Sequence, residues 1–212
     1  MTFHIITLFP GAFKSYLGES ILKHAIEDKK IKVKFYNPRD YSLEKGARVD
    51  RKPYGGGPGM VIQAEPVIKA VERALKVSKQ KALIVWLTPG GKQFTNDFAI
   101  KTAKKYSNII IVCGRYEGID ARVKKVYKVN DISVGQFVLT GGELPAMIVM
   151  DAVSRQVEGV LGTFESVEEK RISSHDVYTR PEIFAYKGKK YRVPKVLLSG
   201  HQAKIEEWKK GK

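Results

Sequence analysis

The chain has 212 residues, 43% of them hydrophobic and 28% charged, a composition typical of a folded globular protein. Its apolar runs are far shorter than the ~20 residues of a membrane helix, and its first residues lack the pattern of a signal peptide, which argues against a membrane or secreted protein. The formal net charge of +16 favours a polyanionic partner, most simply a nucleic acid, over the alternative of a generally basic proteome or adaptation to heat. The single cysteine, Cys113, excludes an intramolecular disulfide and predicts a cytoplasmic protein. Because it ends an apolar run, we expect a buried structural thiol.

Strand-like and helix-like segments alternate over the first 160 residues. The predicted strands are residues 3–8, 32–36, 82–87 and 109–112. The predicted helices are residues 15–27, 66–77, 96–105 and 144–157. Such alternation predicts an α/β domain with a largely parallel sheet.

Two glycine-rich stretches follow apolar, β-branched segments in the middle of the chain. They are residues 113–120, CGRYEGID, and residues 134–145, VGQFVLTGGELP. Glycines placed just after a strand let backbone groups approach a ligand without a side chain in the way. We therefore expect the two stretches to form one pocket walled by backbone.

A third glycine-rich stretch, residues 51–60, RKPYGGGPGM, lies in the first half. It lacks the Gly-Lys-Ser/Thr of a P-loop, and no strand leads directly into it as a dinucleotide fingerprint requires. Its backbone N–H groups and flanking bases would suit a phosphate or a nucleotide, and a flexible turn is an equally good interpretation.

The composition and hydrophobic pattern of the chain change after residue 162. Residues 163–177 form a polar, weakly patterned segment that predicts a linker, and residues 178–212 form a strongly basic tail. This excess of lysine and arginine favours a phosphate-binding surface, with Tyr186, Tyr191 and Trp208 available to stack, over a merely solvated region. The four histidines lack metal-site spacing, so we expect no metal site.

Three long motifs are residues 54–60 (YGGGPGM), 114–120 (GRYEGID) and 140–147 (TGGELPAM), and shorter ones lie at 7–10, 88–92, 151–155, 159–162, 178–181 and 197–200. Together these motifs resemble those of the bacterial tRNA (guanine-N1)-methyltransferases, which modify guanine 37, the base 3′ of the anticodon. The likeness runs from residue 1 to about residue 208.

This resemblance implies a SPOUT-type α/β fold, in which a parallel sheet carries a deep C-terminal trefoil knot and a small, mainly helical C-terminal domain follows. The implied boundaries are 1–162 for the catalytic domain, 163–177 for the linker and 178–212 for a basic tRNA-binding domain. It also implies S-adenosylmethionine as cofactor, with magnesium as a further candidate, tRNA as substrate, and a homodimer whose active sites use both subunits. The implied cofactor contacts are Thr88, Pro89, Gly114, Tyr116, Glu117, Val134, Gly135, Gln136, Phe137, Val138, Leu139, Gly141, Gly142 and Pro145.

Methylation of guanine N1 needs a base for the N1 proton and a cation or donor near O6, where negative charge develops. The family's motif arginine corresponds to Arg155, for which the alternative is an ion pair with Asp151, four residues earlier. The family's general-base aspartate corresponds to Lys170, which cannot act as a base while protonated. The resemblance therefore implies Glu169 as the candidate base and Asp176 as the next, unless Glu168 and Glu169 are solvated loop charges.

Two further departures from the family pattern bear on function. Gly135-Gln136-Phe137 stands where the family usually has Gly-Asp-Tyr, and the chain ends soon after Trp208. The leading hypothesis is an active tRNA guanine-N1 methyltransferase. The alternatives are a catalytically impaired RNA-binding relative and a methyltransferase with a different set of tRNA substrates.

Overall fold

A computed structural model describes residues 1–161 and 176–210 of the chain. Contacts divide the chain into two compact units, Met1–Leu161 and Gly162–Lys212, each described by itself below. The functions expected for the two domains remain predictions.

The first unit alternates strands and helices, as the sequence predicts. Its strands are β1 (Thr2–Ile6), β2 (Lys32–Tyr36), β3 (Asp50–Arg51), β4 (Val61–Ile62), β5 (Ala82–Gln93), β6 (Asn108–Val112) and β7 (Asn130–Ser133). Its helices are α1 (Lys14–Leu17), α2 (Ser20–Glu27), α3 (Ala64–Ser78), α4 (Asn96–Lys105), α5 (Val123–Val126) and α6 (Glu143–Ser154). Short 3-10 helices cover Pro10–Phe13, Pro38–Tyr41 and Lys45–Ala47.

The main sheet is parallel, with the strand order β2-β1-β6-β5-β7. In register, Phe3 of β1 lies beside Val33 of β2 and Ile109 of β6, and Leu83 of β5 also lies beside Ile109. All the strands run the same way, so the loops that follow β5, β6 and β7 emerge at one edge of the sheet. In open parallel sheets this carboxyl edge is where ligands bind.

Both faces of the sheet are covered by helices, and each face has its own apolar core. One core packs alternate strand residues such as Ile5 and Ile111 against α2, α4 and α6. The other packs Ile6 and Val112 against α3 and α5. Because successive strand residues point to opposite faces, a strand buried on both sides must be apolar throughout, as β6 is.

Local sequence explains where two of the helices begin and which face they bury. In α4 the Thr95 side chain accepts a hydrogen bond of 3.3 Å from the Phe98 N–H, an N-cap that satisfies a helix donor. In α3 the buried residues Val67, Ala70, Val71 and Ala74 recur at helical spacing, so one stripe of the helix covers the sheet.

Several element predictions were wrong in detail, and β5 continues to Gln93, beyond the predicted end at residue 87. The helix predicted at residues 15–27 is two helices, α1 and α2, separated by Gly18 and Glu19. The helix predicted at residues 144–157 begins at Glu143 and ends at Ser154. Strand β7 was not predicted, because its four residues include two polar, exposed positions, Asn130 and Asp131, and carry little apolar pattern.

In the second unit an antiparallel hairpin precedes two short helices. Strands β8 (Ile183–Tyr186) and β9 (Lys189–Arg192) pair with each other, and α7 (Lys195–Leu198) and α8 (Gln202–Lys209) follow. The Tyr178 and Trp208 rings pack with centroids 6.0 Å apart, so the two ends of the described part of this unit meet. Within the described residues, no helix is long and apolar enough to cross a membrane.

Candidate active site

A small cavity lies at the carboxyl edge of the main sheet, beside the irregular middle of β5 and the end of β7. It has a volume of about 60 Å³. Its lining residues come from β5, from the end of β7 and its following loop, and from the start of α6: Leu87, Thr88, Pro89, Ile132, Ser133, Val134, Gly135, Phe137, Leu139, Gly141, Gly142 and Pro145.

The first two glycine-rich stretches meet beside this cavity through their backbones. The N–H of Gly142 donates to the carbonyl of Gly114 over 2.9 Å, and Arg115 and Gly141 form an antiparallel bridge. A Cβ atom at position 142 would lie 2.6 Å from the Cα of Cys113, closer than such atoms approach one another in proteins. Only glycine therefore allows the two backbones to come this close.

A buried carboxylate joins the two stretches to the end of β1. Glu143 accepts hydrogen bonds from the Thr7 hydroxyl at 2.8 Å and from Nε of Arg115 at 3.0 Å. The other end of the Arg115 guanidinium donates to the carbonyl of Thr140 over 3.2 Å and stacks over the ring of Phe9, 4.6 Å from its centroid. The Glu143 side chain is only 4% exposed, so its charge is stabilised by these donors instead of by water.

Cys113 lies directly behind this network. Burial, and next the charge of Glu143, raise the pKa of its thiol well above the ordinary value. Cys113 is 3% exposed, which confirms the prediction of a buried thiol, and a raised pKa disfavours the reactive thiolate.

The third glycine-rich stretch packs against the loop that follows β6. The N–H of Glu117 donates to the carbonyl of Met60 over 3.0 Å, and the N–H of Ile62 donates to the carbonyl of Gly118 over 3.0 Å. Gly59 has a φ of +85°, and a Cβ there would lie 2.6 Å from Oε1 of Glu117. The third stretch therefore lies against the loop that follows β6, beside the candidate site. Its role as a phosphate or nucleotide site stays a prediction.

A larger groove opens beside that stretch, with a volume of about 1140 Å³. Its basic residues include Arg48, Arg51, Lys52 and Arg122, and Tyr54 lies at its rim, fully exposed. Some of these basic side chains form ion pairs with carboxylates. The Glu44 carboxylate pairs with Arg51, and the Arg122 guanidinium hydrogen-bonded to Asp120 lowers the pKa of that carboxyl.

Comparison with known proteins bears directly on this site. Residues 1–212 match the family model described as tRNA (guanine-1)-methyltransferase, TrmD. The chain belongs to this family. A tRNA (guanine-N(1)-)-methyltransferase from Caldanaerobacter subterraneus subsp. tengcongensis is 45% identical over 216 residues, covering 100% of this chain and 86% of the relative. One from Dehalococcoides mccartyi strain CBDB1 is 44% identical, covering 99% and 84%.

A solved structure supports the same assignment at the level of the fold. The tRNA (m1G37) methyltransferase from Aquifex aeolicus is 37% identical and superposes with a TM-score of 0.79, covering 100% of this chain and 88% of that one. The predicted α/β SPOUT fold with its parallel sheet is thereby confirmed. The trefoil knot itself remains a prediction.

Most of the residues expected to contact the cofactor do lie together. Those that line the cavity are Thr88, Pro89, Val134, Gly135, Phe137, Leu139, Gly141, Gly142 and Pro145. Gly114, Tyr116 and Glu117 belong to the neighbouring loop, and Gln136 and Val138 have exposed side chains outside the lining. The assignment of these residues to cofactor binding stays a prediction for this family member.

The three expected catalytic residues fall in different places. Arg155 caps the C-terminus of α6 and is half-buried, and its backbone N–H donates to the carbonyl of Asp151 over 3.0 Å. The Asp151 carboxylate accepts a hydrogen bond from Tyr16, which raises the pKa of that phenol to about 12. Asp176 is exposed in the second unit. Glu169 lies outside the described residues.

Sequence reasoning missed the bracing role of Thr7, Phe9, Arg115 and Glu143. All four residues lie within motifs that carry the family resemblance, so the signal was present as residue identity. No spacing rule joins positions 7, 115 and 143, because they meet only when the carboxyl ends of β1 and β6 and the start of α6 come together.

Proposed function

We propose that this protein transfers a methyl group from S-adenosylmethionine to N1 of guanine 37 in tRNA. The observation that carries the proposal is the glycine-walled cavity at the carboxyl edge of the sheet, in a chain that matches the family along its whole length. Relatives named for guanine-N1 methylation and a structural neighbour named for guanine 37 support the position and the base.

The cavity residues fit a nucleoside cofactor. Leu87, Ile132 and Pro145 offer apolar walls for an adenine ring, and the glycine backbones leave N–H and C=O groups accessible. The cavity of about 60 Å³ is well below the roughly 300 Å³ of a small-molecule site, so admission of the whole cofactor requires movement of neighbouring side chains. Phe137, 53% exposed and seated against Gly135, is the side chain best placed to move.

The proposed chemistry divides between the cofactor and this chain's residues. S-adenosylmethionine, when bound, supplies an electrophilic methyl group on its sulfonium. Arg155 is proposed to stabilise the negative charge that develops on guanine O6 as N1 loses its proton. Glu169, or else Asp176, is proposed to accept that proton, since Lys170 cannot do so while it is charged.

The basic surface supports tRNA as the substrate. The groove of about 1140 Å³ in the first unit exceeds a typical small-molecule site and is lined by three arginines and two lysines, against three carboxylates. In the second unit the basic tail adds further cations for phosphate contacts, which position a nucleic acid without reading its sequence.

A homodimer and a cytoplasmic location belong to the same proposal. Helix α6 is apolar around most of its surface, and Leu144 and Ile148 remain 58% and 46% exposed. An exposed apolar helix face of this kind suits a second copy of the chain.

A methylation assay tests the proposal. Purified protein is incubated with S-adenosylmethionine and tRNA transcripts that carry guanine at positions 36 and 37, and the modified nucleotide is mapped by mass spectrometry. We expect 1-methylguanine at position 37 and none in a transcript with adenine there. Cofactor binding without turnover would point instead to the impaired RNA-binding relative, and a modified base elsewhere to an altered substrate set.

Variants in the same assay assign the base. Glu169→Ala and Asp176→Ala are compared, and we expect the true base to lose about 100- to 10,000-fold in kcat while cofactor affinity stays near wild type. Equal activity in a variant removes that residue from the mechanism. Addition of EDTA reports whether magnesium is required.

A further inference from the structure

The β8–β9 hairpin is exposed on both of its faces. All eight residues of the two strands are exposed in the described structure, so neither face packs into an apolar core. A two-stranded ribbon without a buried face is marginally stable in water, and an aromatic cross-strand pair adds only a little stability to it. Pairing within the ribbon does not require three rings whose outer faces lie in solvent, so its composition calls for a further explanation.

Three aromatic rings share one face of this ribbon. Cross-strand pairing sets Phe184 opposite Tyr191 and Tyr186 opposite Lys189, and these four side chains point the same way. The Phe184 and Tyr186 rings lie nearly parallel, at 10°, with centroids 6.4 Å apart, and the Tyr191 ring is 6.3 Å from Phe184. The three side chains are 57%, 55% and 53% exposed, so the rings contact each other and leave their outer faces to solvent.

The charge on the hairpin is entirely positive. Its ten residues, 183–192, contain four cations and no acid: Lys187, Lys189, Lys190 and Arg192. The Lys187 ammonium lies 5.5 Å from the centroid of the Tyr186 ring, beside the aromatic face. A partner that complements this surface must carry both flat aromatic groups and dense negative charge. A single-stranded polynucleotide carries both.

We propose that the face formed by Phe184, Tyr186 and Tyr191 is a stacking surface for unpaired bases of RNA. This inference rests on the proposed function, because tRNA is then the RNA that supplies the bases. The rings stack on exposed bases while the surrounding lysines and arginine contact the phosphates. A base inside a duplex has no free face, so the surface selects loops and single strands over paired stems.

Binding of labelled RNA to the full chain tests the surface. The variant F184A/Y191A should bind tRNA about 5- to 100-fold more weakly than wild type, with an unchanged slope of log K against log salt. Tyr186→Phe and Tyr191→Phe keep the rings and should keep the affinity. Lys189→Gln, on the same face as the rings, should instead reduce the salt slope by about 0.7 to 0.9.

A paired RNA duplex of equal charge provides the control ligand. F184A/Y191A and wild type should bind it equally. The proposal would be overturned if F184A/Y191A bound tRNA with wild-type affinity, or if it lost affinity equally for tRNA and for the duplex. It would also be overturned if an acidic peptide displaced tRNA equally well from the wild type and from F184A/Y191A. Ultraviolet cross-linking of the wild type to tRNA needs no variant, and cross-links that avoid all three rings would also overturn it.

Methylation kinetics separate this inference from the proposed function. In F184A/Y191A we expect KM for tRNA to rise while kcat at saturating tRNA stays within about twofold, because the rings are proposed to bind and not to react. If wild-type protein binds unpaired RNA through these rings but transfers no methyl group, the proposed activity fails and the stacking surface stands.

Discussion

Glu143 shows how one residue can organise a site built from several loops. Its carboxylate accepts hydrogen bonds from Thr7 and Arg115. Arg115 in turn donates a hydrogen bond to the Thr140 carbonyl and stacks over the ring of Phe9. The second glycine stretch is therefore fixed at its end by a buried charge as well as by backbone contact. A buried carboxylate that loses its charge, or its donors, loses that fixation.

Glu143→Gln keeps the shape and removes the charge. We expect the free energy of unfolding to fall by about 1–3 kcal/mol, since the charged hydrogen bonds with Arg115 are weakened in a buried setting. We also expect affinity for S-adenosylmethionine to fall about tenfold, because the cavity wall loosens. Urea unfolding and calorimetric titration measure the two effects.

Glu65→Gln is the matched control. Glu65 pairs with Lys69 one helical turn later and is 61% exposed, so its loss should change the free energy of unfolding by about 0.5 kcal/mol or less. Equal effects of Glu143→Gln and Glu65→Gln would contradict a bracing role for Glu143.

Gly142→Ala tests the close approach of the two glycine stretches. The added methyl would lie 2.6 Å from Cα of Cys113 and 2.9 Å from N of Gly114, and backbone cannot yield as a flexible side chain can. We expect at least a tenfold loss of cofactor affinity in a titration, together with a lower midpoint of thermal unfolding.

Gly90→Ala supplies the comparison on β5. No atom lies within 4 Å of a Cβ at position 90, so this variant should bind the cofactor normally and unfold within about 1 kcal/mol of wild type. Normal cofactor binding by Gly142→Ala as well would rule out the close approach as a requirement.

At the scale of elements, a buried histidine joins three strands of the main sheet. His4 on β1 contacts the Tyr36 hydroxyl on β2 at 2.9 Å and Oδ1 of Asn108 on β6 at 3.1 Å. Burial lowers the pKa of His4, a trend that the Asn108 hydrogen bond opposes in part. The ring is therefore neutral at neutral pH, and its protonation works against the folded sheet.

This lowered pKa predicts a loss of stability in mild acid. The unfolded chain takes up a proton at His4 near pH 6.5, whereas the folded chain resists protonation there. The neutral ring therefore contributes fully to the free energy of unfolding above that pH, and this contribution declines as the pH falls below it. The decline is at most about 1.4 kcal/mol for each pH unit. Urea unfolding between pH 7.5 and 5.5 measures it.

His4→Gln should flatten that dependence, and His24→Gln should leave it unchanged, because His24 is exposed on α2. An identical pH dependence in wild type and His4→Gln would exclude His4 as its source.

The local sequence pattern predicted the boundaries of some elements correctly. The boundaries of β2 and α4 match their predicted ranges, because apolar periodicity and an N-cap threonine act within a few residues. Strand β7 escaped prediction because it is held by pairing with β5, where Trp86 lies beside Asp131 and Leu87 beside Ile132. A strand defined by its neighbour leaves little trace in its own sequence.

At the scale of the whole molecule, the exposed apolar side of α6 is the surface through which we expect two copies of the chain to associate. Ile148→Lys should convert the proposed dimer to a monomer, because association would bury one unpaired lysine from each subunit. Analytical ultracentrifugation across a concentration series measures the change. Leu43→Lys is the control, since Leu43 is 80% exposed in another segment and should leave assembly unaltered. A wild type that is monomeric throughout would remove the dimer from the proposal.

The sequence by itself determined the α/β alternation, the burial of Cys113 and, through its motifs, membership of the tRNA (guanine-1)-methyltransferase family. These depend on local periodicity or on the identity of residues in long runs. Only the tertiary structure decided that Gly142 lies against Gly114 and that Thr7, Arg115 and Glu143 form one network, because residues up to 136 positions apart meet through the order of strands in the sheet. Strand order is set by packing of the whole domain, and no single segment of the chain specifies it.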